Sequence, residues 1–240
     1  MKTLGLVGGI GPESTIEYYR FILEGCRARV PGGSAPHLII DSLDVDRGLA
    51  MLDANDLASL ADYISASLDR LVRAGAELAL IAANTPHIVF DEVERRTSVP
   101  MISIVQATLE HARALGLQRL GLFGTGFTMR ARFFPDAFTR AGLALIAPSE
   151  NEQALIHEKY VHELLRNQFL PATRAALTAI IERMRNEEGI QAVILAGTEL
   201  PLLLRPSPSA IPGPPSTLPP LPLLDTTMIH VSAAVDAILA

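Results

Sequence analysis

The hydrophobic pattern of the chain switches between two periods. Short, mostly apolar runs at Thr3–Val7, His37–Asp41 and Glu77–Ala82 predict strands, and their near-continuous character suits a parallel sheet covered on both faces. Between them, Leu57, Leu60, Ile64, Leu68, Leu71 and Val72 repeat on one face of a predicted helix over 56–75. Asp56 suits its N-cap and Gly75 the position just past its end. Pro12 followed by Glu13-Ser14-Thr15 fits the first turn of an earlier helix. Near the C-terminus, Leu223-Leu224 starts a short strand, and Asp225-Thr226-Thr227 predicts the cap of a last helix, roughly Met228 to Leu239. Strands alternating with helices predict an α/β fold.

The pattern also repeats. Leu4-Gly5-Leu6-Val7-Gly8-Gly9 is similar to Leu120-Gly121-Leu122-Phe123-Gly124-Thr125, and Leu80-Ile81-Ala82-Ala83-Asn84-Thr85 to Ile194-Leu195-Ala196-Gly197-Thr198-Glu199. The two offsets nearly agree, so the expectation is two pseudo-symmetric domains, each a mainly parallel sheet flanked by helices. The first would take 1–100 plus 216–240 and the second 101–215. Loops after parallel strands gather at one sheet edge, where ligands bind. The cleft between the halves would then be lined by Gly8-Gly9, Ala83-Asn84-Thr85, Gly124-Thr125 and Gly197-Thr198-Glu199, whose backbone N–H groups and hydroxyls suit a carboxylate or phosphate. Residues 201–222 break the pattern with nine of the chain's 17 prolines; they predict an extended loop, and Pro212–Pro215 has the spacing of a PxxP ligand.

Composition narrows the function classes. Of 240 residues, 49% are apolar, enough for a sizeable core, and the single cysteine excludes an internal disulfide framework. No apolar run is long enough for a membrane span, and the first residues lack the features of a signal peptide; the expectation is a cytoplasmic protein. A net charge of −6 argues against nucleic acid as partner. Gly8-Gly9-Ile10-Gly11-Pro12 lacks the spacing of a dinucleotide fingerprint, and there is no Walker A motif or Gly-x-Ser-x-Gly elbow. His157 and His162 lie five apart, wrong for two metal ligands on one helix face, and are expected on a solvated surface; no metal site is expected.

Five segments carry a family resemblance: MKTLGLVGGIGPESTIEYY at the start, AANTPH at 82–87, GLFGTGFTMRARFF at 121–134, AGTELPLLL at 196–204 and DTTMIHVSAAVDAIL at 225–239. In this order, and over nearly the full length, the chain resembles aspartate racemases of the aspartate/glutamate racemase superfamily. The resemblance implies a cofactor-independent (PLP-independent) isomerase of amino acid metabolism, an active-site cleft between two α/β domains, and a homodimer. It implies two cysteines, one per half, that remove and return the Cα proton, in motifs Cys-Asn-Thr and Gly-Cys-Thr-Glu. This chain has Ala83-Asn84-Thr85 and Gly197-Thr198-Glu199 instead. Related arylmalonate decarboxylases keep the second cysteine; here Ala83 and Gly197 stand at both positions, and the one cysteine, Cys26, falls in the first helix.

A two-thiol mechanism is therefore not expected. The candidate catalytic residues are Glu199, as a carboxyl whose pKa burial can raise, Thr85, and His87. Each has a plain alternative: Glu199 bonding loop backbone, Thr85 binding carboxylate, His87 packing at a helix start. By resemblance, the candidate substrate-binding residues are Gly9, Arg47, Asn84, Thr85, Thr125, Lys159 and Thr198. Arg47 would grip a distal carboxylate in bidentate fashion, or else pair with Asp44 or Asp46. Thr128 either joins the pocket or caps a helix. The expected partner is a small acidic amino acid or related carboxylate, bound or turned over without thiols. The alternatives are a decarboxylase, isomerase or lyase acting on a related diacid, and a non-catalytic binder.

Overall fold

A computed structural model describes residues 1–204 and 221–240. Two four-stranded parallel sheets form the two halves. The first has the order β2-β1-β3-β4, from β1 (Leu4–Gly8), β2 (Leu38–Ser42), β3 (Leu78–Ile81) and β4 (Met101–Ile102). The second has the order β6-β5-β7-β8, from β5 (Arg119–Gly124), β6 (Ala144–Ile146), β7 (Ala192–Ala196) and β8 (Leu223–Asp225). The internal repeat is thus real in space. The two copies of Leu-Gly-Leu are β1 and β5, each next to the centre of its sheet, and the second pair of similar segments ends β3 and β7.

The inner strands β1, β3 and β7 are short and free of polar side chains because both faces are covered. β1, β3 and β7 are buried at every position. Helix α3 (Leu57–Arg73) lays Leu60, Ile64, Leu68 and Leu71 into the core of the first half, and the Asp56 side chain accepts from the Ser59 N–H at 3.0 Å as its cap. Gly75 follows with φ +102, a conformation that glycine adopts without a Cβ penalty. On the other face, α1 (Pro12–Arg29) buries Tyr18, Ile22 and Cys26 together with Val231, Val235 and Ile238 of α11 (Thr226–Leu239).

The C-terminal segment differs from the expected partition. Helix α11 joins the core of the first half, but β8 pairs with β7 in the second sheet, with Ile194 beside Leu224. Likewise β4 extends the first sheet to Ile102, beyond residue 100. The proline-rich segment is also corrected at its start. Leu200–Leu204 form a short helix, α10, with Pro201 buried; a proline in a first turn costs no hydrogen bond. Residues 205–220, with the PxxP spacing at 212–215, lie outside the described residues.

Candidate active site in the interdomain cleft

The ends of β3 and β7 point their following loops at each other. Between them lies a cavity of about 40 Å³, lined by Ala83, Asn84, Thr85, Thr125, Tyr160, Gly197 and Thr198 on its polar side. The rest of the lining, Ile10, Val45, Gly48, Leu49, Leu52, Leu60, Tyr63, Pro86 and Leu165, is apolar apart from the Tyr63 hydroxyl. By volume this holds about three waters.

Three threonine hydroxyls cluster at the cavity, two of them, on Thr85 and Thr125, in its lining. Thr85 follows β3, while Thr125 and Thr128 belong to the turn after β5. The Thr85 Oγ1 is 3.0 Å from both Thr125 Oγ1 and Thr128 Oγ1, which are 3.2 Å apart. Thr125 also caps α6 (Gly126–Arg130), accepting from the Thr128 N–H at 3.2 Å. A ring of hydroxyls can turn one O–H outward to an anion while the others stay satisfied. It also ties the two halves together.

Asn84 is buried, and its Nδ2 donates to Thr226 Oγ1 at 3.0 Å. The Thr226 hydroxyl proton goes to the Leu195 carbonyl at 2.8 Å, so its oxygen can only accept. That fixes the amide orientation and leaves Asn84 Oδ1 buried without a partner. An unspent acceptor on a cavity-lining residue is a place for a ligand N–H donor.

Glu199 is 1% exposed and lies behind this wall rather than in it. The Tyr160 hydroxyl donates to its Oε2, and so does Thr198 Oγ1, at 2.9 Å. Its Oε1 has no hydrogen-bond partner and rests where Gly11 has no side chain: a Cβ there would collide with it. Burial pushes the Glu199 carboxyl up from its ordinary value, against the hydrogen bonds from Tyr160 and Thr198, which pull it down. The Ser14 hydroxyl pulls the same way but least, being bonded to the Gly11 carbonyl at 2.8 Å. Among the described residues no cation pairs with Glu199. An unpaired buried carboxylate is costly, which is why the neutral form gains. Burial likewise pushes the Tyr160 phenol well up, with the Glu199 charge adding to it.

Tyr160 is the residue that sequence reasoning missed. It comes from α8 (Glu150–His162), which is opened by a Ser149/Glu152 capping box. Its ring lies against position 197: a Cβ on Gly197 would be 2.5 Å from Tyr160 Cε2 and 3.1 Å from its hydroxyl oxygen. The neighbouring Lys159, the expected ligand, points elsewhere. It is paired with Glu163 at 3.0 Å and Glu158 at 3.3 Å and does not line the cavity. Successive helix residues lie about 100° apart, so only one of the two can face the cleft.

Four more residues lie away from the cavity: His87, Arg47, Gly9 and His157. His87 is 3% exposed, and both ring nitrogens are spent on backbone. Its Nδ1 lies 2.9 Å from the Ala83 carbonyl, and its Nε2 accepts from the Ile104 N–H at 3.2 Å. Burial, and then His230, lower its pKa to about 3. It is a neutral ring that splices the two halves, not a base. Arg47 is exposed on α2 (Val45–Asp53), with its guanidinium 4.6 Å from the centre of the Tyr63 ring, and does not line the cavity. Gly9, with φ +79, does not line the cavity either; it lets the Leu43 backbone approach closer than any Cβ would allow. His157 is half-buried rather than solvated, its Nδ1 accepting from the Gly126 N–H at 3.1 Å.

The Arg47 placement carries a prediction. Exposed cation–π pairs contribute about 0.5–1 kcal/mol. Arg47→Ala is therefore expected to lower the urea-unfolding free energy by less than about 1 kcal/mol, and to leave carboxylate-induced stabilisation unchanged. A loss of that stabilisation would return Arg47 to the site.

Comparisons with known proteins give the family and the fold. A family model described as Asp/Glu/hydantoin racemase matches residues 7–234. The broad specificity amino-acid racemase RacX of Bacillus subtilis is 23% identical over 217 residues, 87% of this chain and 90% of its own. Two solved structures cover both chains in full: a candidate Asp/Glu racemase from Yersinia pestis (30% identity, TM-score 0.85) and an aspartate racemase homologue from Pyrococcus horikoshii (31%, TM-score 0.80).

Proposed function

Since the chain belongs to the Asp/Glu/hydantoin racemase family, we propose that it is an isomerase-class enzyme that binds a small α-amino carboxylate in the interdomain cleft and moves the proton on its α-carbon. It does so without a thiol and without a cofactor. The observation that carries this reading is the polar set at one cavity: the clustered hydroxyls led by Thr85 and Thr125, and Asn84, whose Oδ1 has no partner. The threonine hydroxyls suit the carboxylate, and Asn84 Oδ1 suits the ammonium group. Cys26 takes no part: it is buried in α1 among Tyr18, Ile22 and Val235, and burial pushes its thiol up, away from the reactive thiolate.

The wall of Ile10, Val45, Leu49, Leu52, Leu60 and Leu165 supports an uncharged α-substituent over the acidic one expected from the resemblance. Among the described residues lining the cavity there is no lysine or arginine to meet a second carboxylate, and desolvating an unpaired carboxylate is costly. In this reading the protein works in the cytoplasm as a homodimer.

The test is α-hydrogen exchange in heavy water over a panel of L- and D-amino acids, followed by proton NMR against a protein-free control. Exchange is expected to be faster for alanine, valine, leucine and phenylalanine than for aspartate and glutamate. Exchange confined to aspartate and glutamate would overturn the substrate class. Turnover of a non-amino diacid, with no amino-acid exchange, would favour the decarboxylase or lyase alternative.

A further inference from the structure

Position 197 has no room for a side chain because the Tyr160 ring occupies the space where one would project. A hydroxyl therefore stands on the wall where the family resemblance implies a thiol, and it is joined to a buried carboxyl. We propose that Tyr160 and Glu199 form a phenol–carboxyl proton relay, with Tyr160 the group that exchanges the α-proton of the substrate. This rests on the cleft reading given above.

The step balances within these two groups. The Cα–H bond breaks toward the Tyr160 hydroxyl oxygen, and its electron pair stays on the substrate as the enediolate of the carboxyl group. At the same time the phenolic proton passes to Glu199 Oε2, with which it is already hydrogen-bonded. The carboxylate becomes a neutral carboxyl, and Tyr160 is a phenol again. The reverse sequence returns a proton to carbon. Burial favours the neutral form of both groups, so phenolate does not accumulate and the carboxyl stores the proton. Thr198, bonded to the same oxygen, positions Glu199.

The opposite wall is different. Ala83, in the loop after β3, has no acid–base group, and the three clustered hydroxyls need an activating base to work as one. A relay on one wall returns the proton to the face it came from. Exchange of the α-hydrogen with solvent is thus expected to outpace inversion.

Two readouts test the relay. In Tyr160→Phe and in Glu199→Gln, α-hydrogen exchange is expected to fall by about 100-fold or more, while stabilisation by the same amino acid persists, and wild-type exchange outruns inversion measured by chiral chromatography. Exchange in Tyr160→Phe at the wild-type rate, or inversion as fast as exchange, would overturn the proposal. The second readout needs no substrate. In protein labelled with ¹³C-tyrosine, the Tyr160 ring signal, identified by its absence in Tyr160→Phe, is expected to shift as Glu199 titrates above the usual carboxylate range. The groups facing Glu199 are Tyr160, Thr198, Ser14 and, at longer range, Tyr18. The shift is expected to vanish in Glu199→Gln. A signal that stays flat over that range would overturn the relay by itself. If the relay titrates as expected but wild type exchanges none of the panel, the pair stands and the substrate reading falls.

Discussion

Between pH 7 and pH 5 the protein is expected to lose about 4 kcal/mol of stability through two buried histidines. His87 and His230 are both buried, and burial lowers their pKa values to about 3 and about 4. His230 accepts from the Tyr18 hydroxyl at 2.8 Å, and its Nε2 lies 2.9 Å from the Ile102 carbonyl. Each ring has to stay neutral to keep its acceptor nitrogen. In the unfolded chain both take up a proton near pH 6.5, while the native rings refuse it. The unfolded state thus binds more protons, and stability falls as pH drops from the unfolded value toward the folded ones. Each group contributes a slope of about 1.4 kcal/mol per pH unit once well below pH 6.5. Glu199, whose carboxyl is raised, works in the opposite sense and offsets part of the loss. The carboxyls held down by ion pairs, such as Asp41 beside Arg70, lose their stabilisation only at lower pH. Urea midpoints measured at half-unit steps should decline steadily over this window. A flat or rising midpoint would mean that the rings are not held neutral.

The second large effect is steric. Gly197→Cys is expected to cost about 3 kcal/mol, at the upper end for overpacking, because its Cβ meets a Tyr160 ring that is itself fixed by the Glu199 hydrogen bond. Tyr160→Ala alone costs a similar amount through the cavity it leaves and the bond it removes. In the double variant the new side chain occupies part of that cavity. The two losses are therefore expected to fall short of their sum by at least about 1 kcal/mol in a urea-denaturation cycle, as contacting residues do. Strict additivity would show that Tyr160 does not fill the space at 197.

Much of the fold was legible in the chain. The repeat of Leu-Gly-Leu and the apolar runs ending at Ala83 and Gly197 located the strands next to the centre of each sheet, because strands buried on both faces have to be apolar throughout. Asp56, Gly75 and Asp225 marked helix ends through local chemistry that holds in any context. The partners of β8 were not legible, since its ladder to β7 forms across a long separation in sequence. The positions of Asn84, Thr85, Thr125 and Thr198 at the cavity were legible because they lie in the loops that follow strands. For His87 the packing alternative holds, but its two backbone partners, at Ala83 and Ile104, were not legible, since one of them lies 17 residues away. Arg47 was misread because its partner, Tyr63, lies on another helix. Tyr160 had a faint signal: Ile156 and Tyr160, four residues apart, form the buried stripe of α8, while Lys159 falls off it.

The central claim is that this cleft moves an α-proton without a thiol. It is tested most directly by comparing α-hydrogen exchange of alanine and leucine in heavy water between the wild-type protein and Cys26→Ser, the variant that removes the chain's one cysteine. The account predicts measurable exchange at equal rates in both. Exchange absent from both, or present in wild type and abolished in Cys26→Ser, would contradict it.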